Sequence, residues 1–295
     1  MSKGTGITSK IITILEGIPF GQFYYQVGII LRNSLLISSL LCNSETWYNI
    51  TNAELELLET VDVKFLRSLL KAPRSTPKEM FFLELGCVPI RELIIKRRIM
   101  FLHYIINQSE NSMIYKFFKT QLKTKRTKDW VSSVLKDLED LKIEKTIEEI
   151  KNTKKITLKR MINKAITEKA FNRLIGIKEN HSKVRHLEYS EFKMQNYLKP
   201  SKIKIKQCEI QTIFQMRSRV TNVKLNFRGK FENFECRACN KEEESQKHVY
   251  ECEKITNRDK NNNNTYENIF KENVRKQVEV ARYFTEKMKN LINLE

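Results

Sequence analysis

The sequence predicts a mostly α fold, an irregular array of many helices, on three observations. Glycine and proline are scarce, 8 and 5 in 295 residues, too few for the tight turns of a β-sandwich or barrel. Apolar residues make up 40% of the chain, enough for a core, and recur at three- and four-residue intervals over long stretches. Helix-start signals, a threonine or proline with a glutamate placed to reach back, stand before several of those stretches.

Residues from about Ile7 to Asn43 read as two apolar helices broken at Gly17-Ile18-Pro19, where proline removes a donor. Glu16, Pro19, Gln22, Gln26 and Arg32 interrupt this stretch, so it lacks the roughly 20 apolar residues of a membrane span. It reads as buried helix, and no membrane partner is expected. Thr51-Asn52-Ala53-Glu54 has capping-box form; Leu55, Leu58, Val61, Phe65, Leu66 and Leu69 follow at helical spacing to a stop near Pro73. Thr76-Pro77-Lys78-Glu79 puts proline at the first helical position with Glu79 reaching back to the cap, and Gly86 ends that short helix.

Pro89 opens a helix to about Gln108, with Ile90, Leu93, Ile94, Met100, Phe101, Tyr104 and Ile105 on an apolar face and Arg91 and Arg98 behind it. Residues 128 to 150 read as an exposed amphipathic helix with its own salt bridges, built on Trp130, Val134, Leu138 and Leu141. The next helix is expected from about Thr157 to His186, striped by Leu158, Ile162, Ala165, Ile166, Ala170, Leu174 and Ile177. His181 and His186 at its polar end read as inert surface histidines. The alternation Lys202-Ile203-Lys204-Ile205-Lys206 admits a short strand, but Ile210, Ile213, Phe214 and Val220 return to helical spacing, so the segment reads as helix with a frayed start. Asn261 to Asn264 reads as a flexible linker. Beyond it Val274, Val278, Ala281, Phe284, Met288 and Leu291 form a heptad-like seam, expected to dock on this chain.

Charge narrows the function. With 54 Lys+Arg against 35 Asp+Glu the net charge is +19 and the pI about 9.6, an excess that favours polyanions such as RNA or DNA. The densest patch is Lys116, Lys119, Lys123, Lys125, Arg126 and Lys128, interleaved with Tyr115, Phe117, Phe118 and Trp130. A lysine run is also what a solvated face looks like, and the patch alone leaves both readings open. Arg91, Lys96, Arg97 and Arg98, and then Arg160, Lys164, Lys169 and Arg173, are the other cations expected to meet phosphate. The start Met1-Ser2-Lys3-Gly4 lacks a signal-peptide form, and a nuclear or cytoplasmic location is expected.

Six cysteines at uneven spacing do not suggest a disulfide framework. Cys42, Cys87 and Cys208 read as core thiols. The other three keep company with a histidine: Cys236-Arg237-Ala238-Cys239, eight residues, His248, three residues, Cys252. The two-residue gap lets both thiolates grip one ion from a tight turn, and His248 and Cys252 share one side of a helical turn. Three sulfurs at about 2.3 Å and one nitrogen at about 2.0 to 2.1 Å close a tetrahedron around zinc. A closed shell has no position for an activated water, which makes the zinc structural and excludes metal-catalysed hydrolysis there. The fold class is therefore a helical array with a small C-terminal zinc knuckle. Glu242, Glu243 and Glu244 in its loop oppose phosphate on that side, so the knuckle is expected to brace rather than to read nucleic acid. Five segments follow: a helical domain 1–125, a basic helical linker region 126–200, a helix plus knuckle 201–258, an Asn-rich linker 259–265 and a C-terminal helix 266–295.

Several stretches together resemble one family. Ile14-Leu15-Glu16-Gly17-Ile18, Leu31-Arg32-Asn33-Ser34-Leu35-Leu36, Ser44-Glu45-Thr46-Trp47-Tyr48, Leu58-Glu59-Thr60-Val61-Asp62, Ser75-Thr76-Pro77-Lys78-Glu79 and Leu83-Glu84-Leu85-Gly86 resemble the region after the catalytic palm of non-LTR (LINE-like) retrotransposon reverse transcriptases. The Lys96-Arg97-Arg98 helix and the C-C-H-C knuckle extend the resemblance over roughly residues 6 to 255. It implies a helical thumb, which would be the 1–125 domain, a basic linker and a zinc knuckle that hold template RNA and target DNA. The departure is as informative. Polymerisation needs clustered carboxylates for two Mg²⁺ ions, yet no two aspartates are adjacent, and Asp62, Asp129, Asp137, Asp140 and Asp259 are scattered. The 40 or so residues after Cys252 are too few for an endonuclease. By itself the chain is expected neither to polymerise nor to cut. The leading expectation is a nucleic-acid-binding remnant or tail of such an element. Its rivals are a non-catalytic part of an assembled RNA-directed DNA polymerase, working with an upstream polymerase polypeptide, and a helical protein-interaction module.

Overall fold

Helix dominates the chain. The computed structural model describes residues 2–18, 20, 23–124, 126–201, 203–227, 229–255 and 264–293, with side chains from residue 6 onward. The helices are α1 (Ser2–Glu16), α2 (Tyr24–Leu31), α3 (Ile37–Leu40), α4 (Asn52–Leu69), α5 (Lys78–Leu85), α6 (Ile90–Ile106), α7 (Met113–Thr124), α8 (Trp130–Asp140), α9 (Ile147–Asn152), α10 (Lys155–Glu179), α11 (Gln207–Arg217), α12 (Gln246–Glu251) and α13 (Val274–Ile292). No strand forms among the described residues; two isolated bridges, Leu85 with Met194 and Glu235 with Glu243, are the β pairing there. The mostly α class with a small Cys/His knuckle near the C-terminus holds. Two compact units divide the chain: Met1–Ile11, Ile30–Phe65 and Cys87–Gly176 make the first; Ile12–Ile29, Leu66–Gly86 and Ile177–Glu295 the second.

In the first unit α6 is the hub. Its Ile95, Ile99, Leu102, Ile105 and Ile106 pack with Phe118 of α7, Val131, Val134 and Leu138 of α8, Ile150 of α9 and Leu158, Ile162 and Ile166 of α10. A smaller cluster joins Ile90 and Ile94 to Ile37, Leu41 and Leu55. Asp62, Glu92 and Asp137, all buried in this unit, are each ion-paired, as burial demands. A π-helical turn, Arg32–Leu36, presents Arg32 to Asp62. Its Nε and Nη2 donate to the two carboxylate oxygens at 2.6 and 2.5 Å, and Nη2 also reaches the Val88 carbonyl at 3.1 Å. Both side chains are buried, so the bidentate geometry offsets a desolvation cost that neither ion meets alone.

In the second unit Glu84 organises the interior. Fully buried, it accepts from Tyr189 Oη at 2.6 Å, Tyr197 Oη at 2.7 Å, and Arg217 Nε and Nη2 at 3.0 and 2.9 Å. Arg217 Nη1 turns to the carbonyls of Ile269 and Phe270. Gly86 ends α5 at φ +60°, and a Cβ there would run into the backbone of Lys193 and Met194, so the residue must be glycine twice over.

Several elements differ from expectation. Pro77 is the cap of α5, extended at ψ 137°, and Glu79 makes no capping bond because the helix begins one residue later. The predicted basic back of α6 is not one: Arg98 turns in to Asp137 at 2.7 Å, Glu92 is fully buried, and Tyr104 of the predicted apolar face is exposed. A helix packed on several sides has no single back. Residues 128–150 form two helices, parted where Lys142 takes φ +53°, and Asp137 pairs with α6 instead of with its own helix. The long helix α10 stops at Glu179, and Lys178 Nζ donates to the Leu187 carbonyl at 2.6 Å across the turns that follow. No strand forms at 203–206, and α11 starts at Gln207. The last helix starts at Val274, capped by Asn273, after a 3₁₀ turn Tyr266–Ile269. Its Val278, Ala281, Phe284 and Leu291 are buried in the second unit. Cys87 is a core thiol, pushed up by burial to about 12, but Cys42 and Cys208 are exposed. Pro19, Lys125, Asp259 and Asn261 to Asn263 lie outside the described residues.

Candidate functional site

Backbone hydrogen bonds fold residues 234–252 around the four ligand candidates. Glu244 N donates to Phe234 O and Cys236 N to Glu242 O, each at 2.7 Å, closing a short hairpin. At its tip Asn240 N bonds Cys236 O at 2.8 Å with φ +52°, a left-handed conformation asparagine tolerates well. Ser245 then caps α12 by accepting from His248 N at 3.0 Å. The single turn of α12 carries His248, and Cys252 follows at its C-terminal cap.

This brings Cys236 Sγ, Cys239 Sγ, a ring nitrogen of His248 and Cys252 Sγ within 4.8 Å of one another. Ligands at about 2.3 Å from a tetrahedral ion stand about 3.8 Å apart, so the cluster can hold a metal ion. Cys239 Sγ and His248 Nε2 are 3.3 Å apart. On the far side of the ring His248 Nδ1 lies 3.0 Å from Glu242 Oε2, the carboxylate behind a ligating imidazole that sets its tautomer. Among the described residues this is the one group of three or more His, Cys, Asp and Glu side chains close enough for an ion. The thiols differ: burial pushes Cys236 up to about 11, whereas Cys239, despite desolvation, is held near 6 by the backbone N–H groups of Lys241 and Glu242 and by His248.

Buried polar clips support the knuckle. Arg237 forks onto Glu244 through Nε and Nη2, both at 2.8 Å, and Lys224 N donates to the same carboxylate at 3.0 Å. Burial works against the Glu244 charge, but these donors hold its carboxyl below the usual range. Gln246 ties α12 to Met216 O at 2.8 Å, to Tyr266 Oη at 2.5 Å and to Thr221 Oγ1 at 2.7 Å. Lys287 of α13, 3% exposed, donates to the Cys252 carbonyl at 2.5 Å; burial pushes its ammonium down, opposed by Cys252, Cys236 and Glu253. Of the three loop glutamates, then, Glu244 and Glu242 brace the knuckle and Glu243 faces solvent. Sequence reasoning missed Lys287, although its signal was present: it sits at helical spacing between Phe284 and Leu291, inside an apolar stripe.

The expected phosphate contacts separate into two sets. Lys116, Lys119, Lys123, Arg126 and Lys128 are exposed on α7 and the turn after it, with Lys119 Nζ 5.4 Å from the centre of the Tyr115 ring. Arg160 and Lys164 are exposed on α10. Among the described residues none of these seven forms an ion pair. Lys96 is half-buried, and burial together with Lys159 and Arg97 lowers its pKa. The second set is engaged internally. Arg98 pairs with Asp137, Arg173 with Glu92 at 2.9 Å and Lys169 with Asp140 at 3.1 Å. Arg97 donates to Leu41 O at 2.7 Å and Arg91 to Asn52 Oδ1 at 2.9 Å.

The four described aspartates each have a structural partner: Asp62 has Arg32, Asp129 caps α8, Asp137 has Arg98 and Asp140 has Lys169. His186 is not a surface residue; it packs edge-on against Phe270, centroids 4.8 Å apart. Burial and the nearby Arg219, Arg217 and Lys178 hold it neutral, with a pKa near 4. No family model, no curated protein and no solved structure matches the chain.

Proposed function

We propose that the protein binds RNA or DNA through the lysine-rich faces of the first unit, with a structural zinc ion holding the Cys236, Cys239, His248 and Cys252 knuckle. The observation that carries this reading is the sorting of cations. The arginines that could pair with a carboxylate inside the fold do so, while the cations of α7 and the first turns of α10 remain exposed without an acidic partner among the described residues. Lys155 with Lys159 and Arg160 with Lys164 are like-charged i,i+4 pairs, which cost a helix a few tenths of a kcal/mol each and gain when an anion lies across them. A phosphate backbone supplies such an anion at every nucleotide. The resemblance to the post-palm region of non-LTR reverse transcriptases supports the same partner. On that reading the chain is a nucleic-acid-binding tail without a polymerase centre of its own.

Zinc is the metal that three thiolates and one imidazole in a closed shell favour. Here it would fix the hairpin onto α12 and do no chemistry on substrate.

Fluorescence anisotropy with labelled single-stranded RNA and DNA tests the binding. The expected outcome is affinity at low salt that falls linearly in a log–log plot of binding constant against salt. Absence of binding at low salt, or a flat salt slope, would sink the reading. Metal analysis of the purified chain tests the ion: one zinc per chain is expected, and none taken up from excess zinc rejects it.

A further inference from the structure

Lys287 is a cation in the wrong place for an ordinary lysine. It is buried on α13, its Nζ donates to the Cys252 carbonyl at 2.5 Å and lies 5.4 Å from the centre of the Tyr283 ring. No carboxylate forms an ion pair with it among the described residues. The groups that act on it are the Cys252 and Cys236 sulfurs, which become anionic when they bind an ion, and the exposed Glu253. A buried ammonium without a counter-ion is costly, and such lysines ordinarily give up the proton or find a partner.

The chemistry of the ligand set supplies that partner. A dication bound by three thiolates and a neutral imidazole carries one net negative charge. We infer that Lys287 is the positioning residue and charge partner of the metal site: its ammonium neutralises the bound thiolate shell and ties α13 to the knuckle through the Cys252 carbonyl. The inference rests on the metal reading of the knuckle. It adds a prediction that reading does not make, namely that a residue 35 positions beyond the last ligand sets the affinity of the site. The same stretch of α13 is packed: Tyr250 and Tyr283 meet at 4.9 Å between ring centres, and Phe284, about one helical turn before Lys287, is buried.

The test uses the full chain and four variants, titrated with zinc against a chromophoric chelator and with cobalt to read the thiolate charge-transfer band. Lys287→Met keeps the apolar stem and removes the charge; Lys287→Gln keeps a donor for the Cys252 carbonyl without charge. Both are expected to weaken zinc about tenfold, the scale of an outer-shell loss, while Lys287→Arg stays within about threefold. Phe284→Ala loosens the packing of α13 and keeps the charge, and is expected to change zinc affinity less than Lys287→Gln does. Wild-type affinity in Lys287→Gln overturns the charge argument, as does an equal loss in Phe284→Ala or in Lys287→Arg. Should Lys287→Met fail to fold, the Gln and Arg pair decides by itself. Failure of the wild-type chain to bind zinc or to develop the cobalt band is a different result, and rejects the metal reading instead.

Discussion

The knuckle at 236–252 and the basic face of α7 carry charge in opposite ways. In the knuckle Arg237 is forked onto Glu244, His248 leans on Glu242 and Lys287 is held against Cys252. On α7 and the turn beyond it Lys116, Lys119, Lys123, Arg126 and Lys128 stand in solvent without an ion pair among the described residues. The difference teaches where charge must be partnered. A buried charge needs its counter-ion inside the fold, so its geometry is set at folding. An exposed lysine is solvated by water, keeps its rotamers and stays available to a partner.

The sharpest way to break this comparison is to challenge the proposed metal site of the knuckle with a chelator. Chelation is expected to open the chain after about Lys224, seen as new protease cleavage between residues 229 and 255 and a loss of helical signal; unchanged protease resistance in chelator would refute the site. Next in size is Glu84→Ala, which leaves Arg217 buried without its carboxylate. It is expected to cost about 3 to 5 kcal/mol in urea denaturation, and a loss below about 1 kcal/mol would mean that the tyrosines and carbonyls suffice.

A smaller effect follows pH. The His186 pKa is depressed from 6.5 to about 4 in the folded chain, so the unfolded chain binds the proton more readily. Its contribution is fully present above pH 6.5 and is lost as pH falls toward 4, an effect on the order of 2 kcal/mol. His186→Leu should flatten the stability profile between those values relative to wild type; parallel profiles would assign the acid sensitivity elsewhere. Smallest for the fold and largest for binding is Lys116→Gln with Lys119→Gln and Lys123→Gln. Stability should move by less than about 0.5 kcal/mol, while the salt slope for nucleic acid flattens by about 2 to 3. An unchanged slope would place the contacts off α7, and an unfolded triple variant would mean that these lysines support the fold.

How much of this was legible in the sequence follows from the range of each interaction. The capping box at Thr51 and Glu54 is local and forms as written, with Thr51 N donating to Glu54 Oε2 at 2.8 Å. The knuckle was legible because its ligands lie within seventeen residues at spacings that metal geometry dictates. The burial of Glu92, Arg98 and Glu84 was not, because their partners are 81, 39 and 133 residues away. Periodicity marks a charged residue off the stripe as solvent-facing, and a helix surrounded by neighbours breaks that rule. Cys42 and Cys208 were misplaced for the converse reason: Cys42 lies in the turn after α3 and Cys208 in the first turn of α11, and an apolar neighbourhood in sequence does not say whether a turn or a helix start is covered.

The indole of Trp130 donates to the Glu45 carbonyl at 2.7 Å in the first unit. The chain's other tryptophan, Trp47, packs against the Ile90 cluster of the same unit. Indole emission is therefore a reporter of that unit, while the second unit, with Tyr197, Tyr250 and Tyr266 buried, is optically a tyrosine protein. Exciting the indoles selectively and following total ellipticity in parallel lets the melting of one unit be timed against the other in an unlabelled chain.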